Sequence, residues 1–198
     1  MKDQPPQHII IPKGTKTIEY KQFSNNFDLK SIILPEGLEL IEEFAFYGCS
    51  FLQEIVIPKS VEYIENNAFD GCKNLSSVHF QSPRTELWYE AFSECSCLKS
   101  IALPQEITDI DDGLFADCIG LEKIILPKRI EHIGACAFAN CKRLKSIILP
   151  KGIELLEWRA FHNCKNLTIY CRDESQPKEW EDEWSLGAKQ VVWGYKGE

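Results

Sequence analysis

The chain of 198 residues holds nine cysteines and one methionine, and six of the cysteines share one spacing. Cys49, Cys72, Cys95, Cys118, Cys141 and Cys164 follow one another at intervals of 23, with Asn26 one interval before them. Thiols in such a row could pair as disulfides or hold zinc. Adjacent parallel strands would set equivalent residues about 4.8 Å apart, which brings the Cα atoms within disulfide range. The Cβ vectors would run parallel, however, leaving the Cβ atoms beyond the usual separation. Tetrahedral zinc needs ligands converging from four directions, and a linear row cannot surround an ion. The row therefore reads as small apolar side chains filling a repeated turn. Cys97, Cys136 and Cys171 lie off it. Cys97 takes the place of Asn74 and Arg143 in neighbouring intervals and is the expected exposed thiol.

Nucleophilic catalysis needs a nucleophile, a base and an orienting group within hydrogen-bond reach. His8, His79, His132 and His162 each occupy a different place in the repeat. His79 and Ser77, two apart on a strand, point the same way, but no third group joins them and the pair reads as solvated. Gly-rich phosphate loops, paired-histidine metal motifs and Gly-x-Ser-x-Gly elbows are absent from the sequence. The expectation is a chain that is not an enzyme, with no catalytic residue, no metal and no cofactor.

The elements that place these residues follow from the same interval. Pro12, Pro35, Pro58, Pro104, Pro127 and Pro150 lie on it, with Gln81 where a proline is missing. Phe23, Phe46, Phe69, Phe92, Phe115, Phe138 and Phe161 obey it without a gap, as do Leu29, Leu52, Leu75, Leu98, Leu121, Leu144 and Leu167. Ladders in register over the whole chain identify a repeat protein. In each unit a Leu-x-x-Ile-x-Leu segment alternates as a short strand, and the proline after it ends the hydrogen-bond ladder. Ile64, Ala68, Phe69 and Cys72 have helical spacing, which predicts about two helical turns. Gly48 and Gly71 suit helix ends. One strand and one short turn cannot bury their own apolar side, so the units must stack.

The Ala-Phe-x-x-Cys-x-x-Leu-x-x-Ile-x-[Ile/Leu]-Pro signature, clean from Ala68 to Pro127 apart from Gln81 and Leu114, resembles the BspA-like leucine-rich repeats. The expected fold is an α/β repeat solenoid: a curved leucine-rich-repeat array with one parallel β-sheet, short helical turns and a 23-residue period. The resemblance covers residues 9–172, about seven rungs, and implies surface adhesion or protein binding. Residues 1–8 are expected to be disordered. Residues 173–198 are expected to form a C-terminal cap, with a helix over Ser175–Trp184 and a last strand at Val191–Trp193. Trp180 and Trp184 should cover the end of the core.

Hydrophobic residues make up 44% of the chain, enough for one continuous core. The net charge of −8 excludes the basic footprint that nucleic acid or an anionic membrane surface requires. No apolar run is long enough to span a bilayer. Met1–His8 lacks the apolar stretch of a secretory signal, so a cytoplasmic location is expected. Export to the cell surface is the alternative if a leader once preceded Met1.

Three surfaces stand out. The outward strand positions Ile33, Val56, His79, Ala102, Ile125 and Ile148 form a row flanked by Lys30, Gln53, Ser76, Lys99, Glu122 and Lys145, the composition of a protein-binding patch. In the fourth rung Gln81 replaces proline, Arg84 sits where Val61 and Ile107 are apolar, and Trp88 and Tyr89 join Tyr63 in an aromatic group. Acidic positions (Glu39, Glu62, Glu131, Glu154; Glu42, Glu65, Asp111, Glu157) face a basic row of Lys13, Lys59, Lys128 and Lys151. The charged rows read as solvated faces. The leading expectation is a monomeric, non-catalytic module binding a protein partner through Val56, His79, Ala102, Ile125 and Ile148, or through Tyr63, Trp88 and Tyr89. The alternative is a structural or self-associating solenoid.

Overall fold

The computed structural model describes residues 7–197, and it is a stack of repeated turns rather than a layered domain. Nine strands run along one face: β1 (Gln7–Ile10), β3 (Leu29–Ile33), β5 (Glu54–Ile57), β7 (Ser77–Phe80), β9 (Ser100–Ala102), β11 (Lys123–Ile125), β13 (Ser146–Leu149), β15 (Thr168–Cys171) and β16 (Gln190–Val192). Seven two-residue strands form a second face: β2 (Thr17–Ile18), β4 (Leu40–Ile41), β6 (Tyr63–Ile64), β8 (Glu86–Leu87), β10 (Asp109–Ile110), β12 (His132–Ile133) and β14 (Leu155–Leu156). All pairings are parallel, and equivalent residues of successive turns meet, as in Ile55 with Val78 and Ile101 with Ile124.

The expected single sheet is thus two parallel ladders. Each unit bends twice, and the second bend carries a short ladder of its own because Ile41, Ile64, Ile110 and Ile133 point inward there and are buried. The first ladder is broken between β7 and β9 and between β11 and β13; the second is broken between β8 and β10.

The core follows the sequence ladders. Ile32, Ile55, Val78, Ile101, Ile124 and Ile147 are all buried together, as are the leucines from Leu29 to Leu167. Phe46, Phe69, Phe92, Phe115, Phe138 and Phe161 are fully enclosed and stack face to face, most of them 5.0–5.6 Å apart. Phe23 extends the stack at 5.3 Å as its partly exposed end.

The expected helical turns are absent: among the described residues there is no α-helix. The reason lies in the backbone. Lys21, Phe44, Asn67, Glu90, Gly113, Cys136 and Arg159 all have φ between 52° and 60°, and four residues later Asn25, Gly48, Gly71, Glu94, Asp117, Asn140 and Asn163 are again left-handed. Two left-handed residues per unit break any run of α-helical hydrogen bonds. The amides instead bond to the next turn, as Phe46 N–H does to Ala68 O at 2.8 Å and Phe115 N–H to Ala137 O at 2.8 Å. Gly48 and Gly71 do take positive φ, but at corners of the coil. A Cβ at Gly48 would lie 2.6 Å from Asn25 Oδ1, so this corner ladder is also tightly stacked.

Both ends correct the sequence reading. Gln7 and His8 belong to β1, because Gln7 N–H reaches Asp28 O at 2.7 Å and His8 Nδ1 lies 2.7 Å from Ser31 Oγ. The rest of the expected disordered segment lies outside the described residues. The segment 175–184 is a run of turns and not a helix. It forms an eighth turn carrying one extra residue: Phe161 N–H donates to Trp184 O as Phe138 N–H donates to Ala160 O. Trp184 therefore fills a position held by alanine in most earlier turns, and by Leu114 in the fifth, and lies edge-on over Phe161 at 6.1 Å. Trp180, also buried, donates its indole N–H to Ile153 O at 2.9 Å, and Trp193 packs against both. Large rings close the stack where no further phenylalanine follows.

Candidate functional site

The outward residues of the first ladder form one strip. Ile33 (60% exposed), Val56 (48%) and Ile125 (65%) stand open to solvent, with His79 and Ala102 exposed between them. Ile148 is only half-buried, correcting the expectation that the whole row stands free. It neighbours Tyr170, over whose ring Tyr195 lies at 4.6 Å. Sequence reasoning missed the first member, Ile10, 73% exposed and paired with Ile33. Its place one period before Ile33 was the available signal. Val56 meets His79, and Ala102 meets Ile125, in direct register; His79 and Ala102 are unpaired, as are Ile125 and Ile148.

Where β11 and β13 part, an open groove of about 610 Å³ lies along the strip. Its floor is Ile124, Ile125, Leu126, Ile147, Ile148 and Pro150; its polar rim holds Lys123, Lys128, Lys151 and Arg172, with Ser146.

The fourth turn is anomalous, as its sequence suggests. Arg84 swings out and its guanidinium Nε donates to Glu106 at 2.9 Å, while Thr85 turns in, fully buried, and its hydroxyl donates to Val61 O at 2.8 Å. Gln81, having an N–H where other turns have proline, donates to Ile57 O at 3.0 Å. Phe80 replaces an aliphatic inward residue and meets Phe92 edge-on at 6.2 Å. Of the aromatic group, Tyr63 and Trp88 touch, 6.1 Å apart at 63°. Tyr89, 53% exposed, has no ring contact with either among the described residues.

Beyond this turn both ladders open. A cleft of about 410 Å³ forms between β8 and β10, bordered by Trp88, Arg84 and Arg129 and by the carboxylates of Glu86, Glu106, Asp109 and Asp111. Burial, reinforced by the charges of Asp109 and Asp112, pushes the Asp111 carboxyl up to about 6. His132 lies beside this acidic row, 3.5 Å from Asp109 and 3.2 Å from Glu157. Other acidic residues have structural tasks: Glu42 accepts from Tyr20 N–H at 2.6 Å, Glu65 from Glu43 N–H at 3.1 Å, and Glu181 from Trp158 N–H at 2.6 Å. Lys16 pairs with Glu39.

All nine cysteines are free. Each ladder thiol donates to the carbonyl of the phenylalanine 26 residues earlier, from Cys49 to Phe23 O at 3.0 Å through Cys164 to Phe138 O at 3.0 Å. Burial pushes Cys49, Cys118 and Cys164 up to about 12 and the other ladder thiols well above their ordinary value. A thiol held protonated and enclosed is a packing group and not a nucleophile. Cys97 is exposed, Cys136 intermediate and Cys171 buried. Among the described residues no cluster of three or more His, Cys, Asp or Glu side chains is arranged to hold a metal, and no helix is long and apolar enough to cross a membrane.

A coiled stack of 23-residue units with an inward Leu, Ile, Phe and Cys at fixed places and an open strand face defines a leucine-rich-repeat solenoid. The sequence matches the BspA type leucine rich repeat region in six copies over residues 2–121 and 110–176, and the chain belongs to that family. It is similar to a leucine-rich repeat protein from Bacteroides ovatus: 30% identity over 88% of this chain and 52% of that one, TM-score 0.77. A leucine-rich repeat protein of T. pallidum is 35% identical over 71% of this chain and 66% of that one, TM-score 0.63. A leucine rich cell surface protein from Faecalibacterium prausnitzii is 26% identical over 96% of this chain and 60% of that one, TM-score 0.57. The chain thus spans 52% of the Bacteroides protein. No curated protein matches.

Proposed function

We propose that the chain is a non-catalytic binding module whose strand face receives a protein partner. The observation that carries this reading is the strip itself: Ile10, Ile33, Val56 and Ile125 stand in one line, each about half exposed or more. A row of aliphatic side chains held in water is unfavourable by roughly 25 cal/mol per Å², and binding recovers that area. Solenoids use this kind of extended face for partners, and the repeats of the family support the same reading.

The test is charge substitution. Ile33→Asp and Ile125→Asp should remove capture of a partner first identified by crosslinking to the wild type. The melting temperature should stay within a few degrees, since outward positions carry little packing energy. Capture that survives both changes but is lost on cutting Trp88 and Tyr89 to alanine would move the site to the fourth turn.

Adhesion at a cell surface is a second reading, favoured by the resemblance to the Faecalibacterium cell surface protein. Proteolytic shaving of intact source cells separates it from a cytoplasmic role. Loss of the chain supports display outside, and its survival supports the interior.

A further inference from the structure

The groove between β11 and β13 has a charge opposite to that of the chain. The protein carries 30 acidic and 22 basic residues, yet among the described residues four cationic side chains and no carboxylate line this groove. Lys123, Lys128, Lys151 and Arg172 enter no ion pair among the described residues; Arg172 donates to Gly197 O at 3.1 Å. The cleft between β8 and β10 is the contrast, since its arginines face four carboxylates. Asp173, the nearest carboxylate in sequence to Arg172, is turned to Gly152 N–H at 3.4 Å. Four cations around an apolar floor concentrate positive potential, because the low-dielectric wall focuses the field.

From this geometry we propose that the groove binds an extended acidic segment of a partner protein, with an aliphatic side chain seated between Ile125 and Ile148 and carboxylates meeting Lys123, Lys128, Lys151 and Arg172. The proposal rests on the protein-binding reading and names the chemistry it selects. Charge complementarity sets the sign of the partner. The groove's shape favours a chain segment over an enclosed small molecule. It is not enclosed, and Ile125 on its floor lies in register with Ala102 of the exposed strip, so a ligand can leave it in that direction. In an extended segment alternate side chains point opposite ways, so an aliphatic residue facing the floor leaves its neighbours free to reach the rim.

The test is fluorescence anisotropy with three labelled peptides of about ten residues. The first alternates leucine with glutamate, the second leucine with lysine, and the third serine with glutamate. The first should bind the wild-type chain at least about tenfold more tightly than the other two, a difference of roughly 1.4 kcal/mol. Its affinity should fall by at least the same factor in Lys128→Glu/Lys151→Glu. It should change little in Lys13→Glu/Lys59→Glu, which alters the far end of the same lysine row. Equal binding of the lysine peptide, or unchanged affinity in the groove variant, would overturn the proposal. Displacement by dodecanoate at lower concentration than by unlabelled peptide would assign the groove to a small amphipathic anion and overturn the segment. Should Ile33→Asp remove capture of the crosslinked partner while Lys128→Glu/Lys151→Glu leaves it intact, the strand face binds and the groove assignment alone is wrong.

Discussion

The ring of Phe92 lies 6.1 Å from that of Phe115, the widest step in a stack whose other steps are 5.0–5.6 Å. The same junction lacks strand pairing on both faces, between β7 and β9 and between β8 and β10, although corner bonds such as Phe92 N–H to Leu114 O at 3.1 Å remain. Elsewhere the second face repeats one hydrogen bond: Glu42 N–H to Ile18 O, Glu65 N–H to Ile41 O, Trp88 N–H to Ile64 O, Gly134 N–H to Ile110 O. Among the described residues no such bond joins Asp111 to Leu87. The bulky Phe80, the inverted pair Arg84 and Thr85, and the opening of both ladders coincide here. Because each turn contacts only its neighbours, stability is a sum of junctions, and this is the one junction unpaired on both faces among the described residues. Native-state hydrogen exchange should show the Asp111 amide exchanging at least about tenfold faster than those of Trp88 and Gly134. Equal protection at all three would mean that the seam is closed in solution.

Removing left-handed strain should stabilise the fold. Glu94 has a φ of 53° and an exposed contact with Lys73 at 3.5 Å. A non-glycine residue in this region costs about 1–2 kcal/mol, and the ion pair, being exposed, contributes little. Glu94→Gly should therefore raise stability by roughly 0.5–1 kcal/mol after the added entropy of glycine in the unfolded chain. Urea unfolding measures it, and a loss of stability would show the conformation to be unstrained.

Asp111 should make the protein more stable in mild acid. Its folded carboxyl stands at about 6 against an ordinary 3.8, owing first to burial and then to Asp109, Asp112 and Glu86, with His132 opposing. The folded state thus binds the proton more tightly than the unfolded chain, and its contribution weakens as pH rises from about 4 to about 6. Asp111→Asn should gain about 1 kcal/mol at pH 7, allowing for partial solvent screening, and almost nothing below pH 4. A gain independent of pH would trace to packing instead of charge.

The thiols should react in order of enclosure. Cys97 should be modified at once by a thiol reagent, and Cys136, partly covered, more slowly. The six ladder cysteines and Cys171 should wait for denaturant, because burial both blocks access and raises the pKa. Fast reaction of more than two thiols in the native protein would contradict the packing described.

The 23-residue period by itself fixed which residues face inward. Phe115, Cys118, Leu121 and Ile124 are buried because solvent avoidance acts on each apolar position alike, and a strict repeat writes that preference directly into the spacing. The exposed strip from Ile33 to Ile125 was legible for the same reason. The apparent helix was not. Phe44, Glu90 and Cys136 adopt left-handed φ although their residue types give no warning, since the forward hydrogen bonds of the coil impose that geometry. The eighth turn hid behind one inserted residue, which moved Trp184 off the phenylalanine ladder. Only the folded stack decided where neighbouring turns part. That separation depends on the summed volumes and hydrogen bonds of whole junctions, as at Phe80 and Asp111. It is also what brings Lys123, Lys128, Lys151 and Arg172, from three different turns, around one groove.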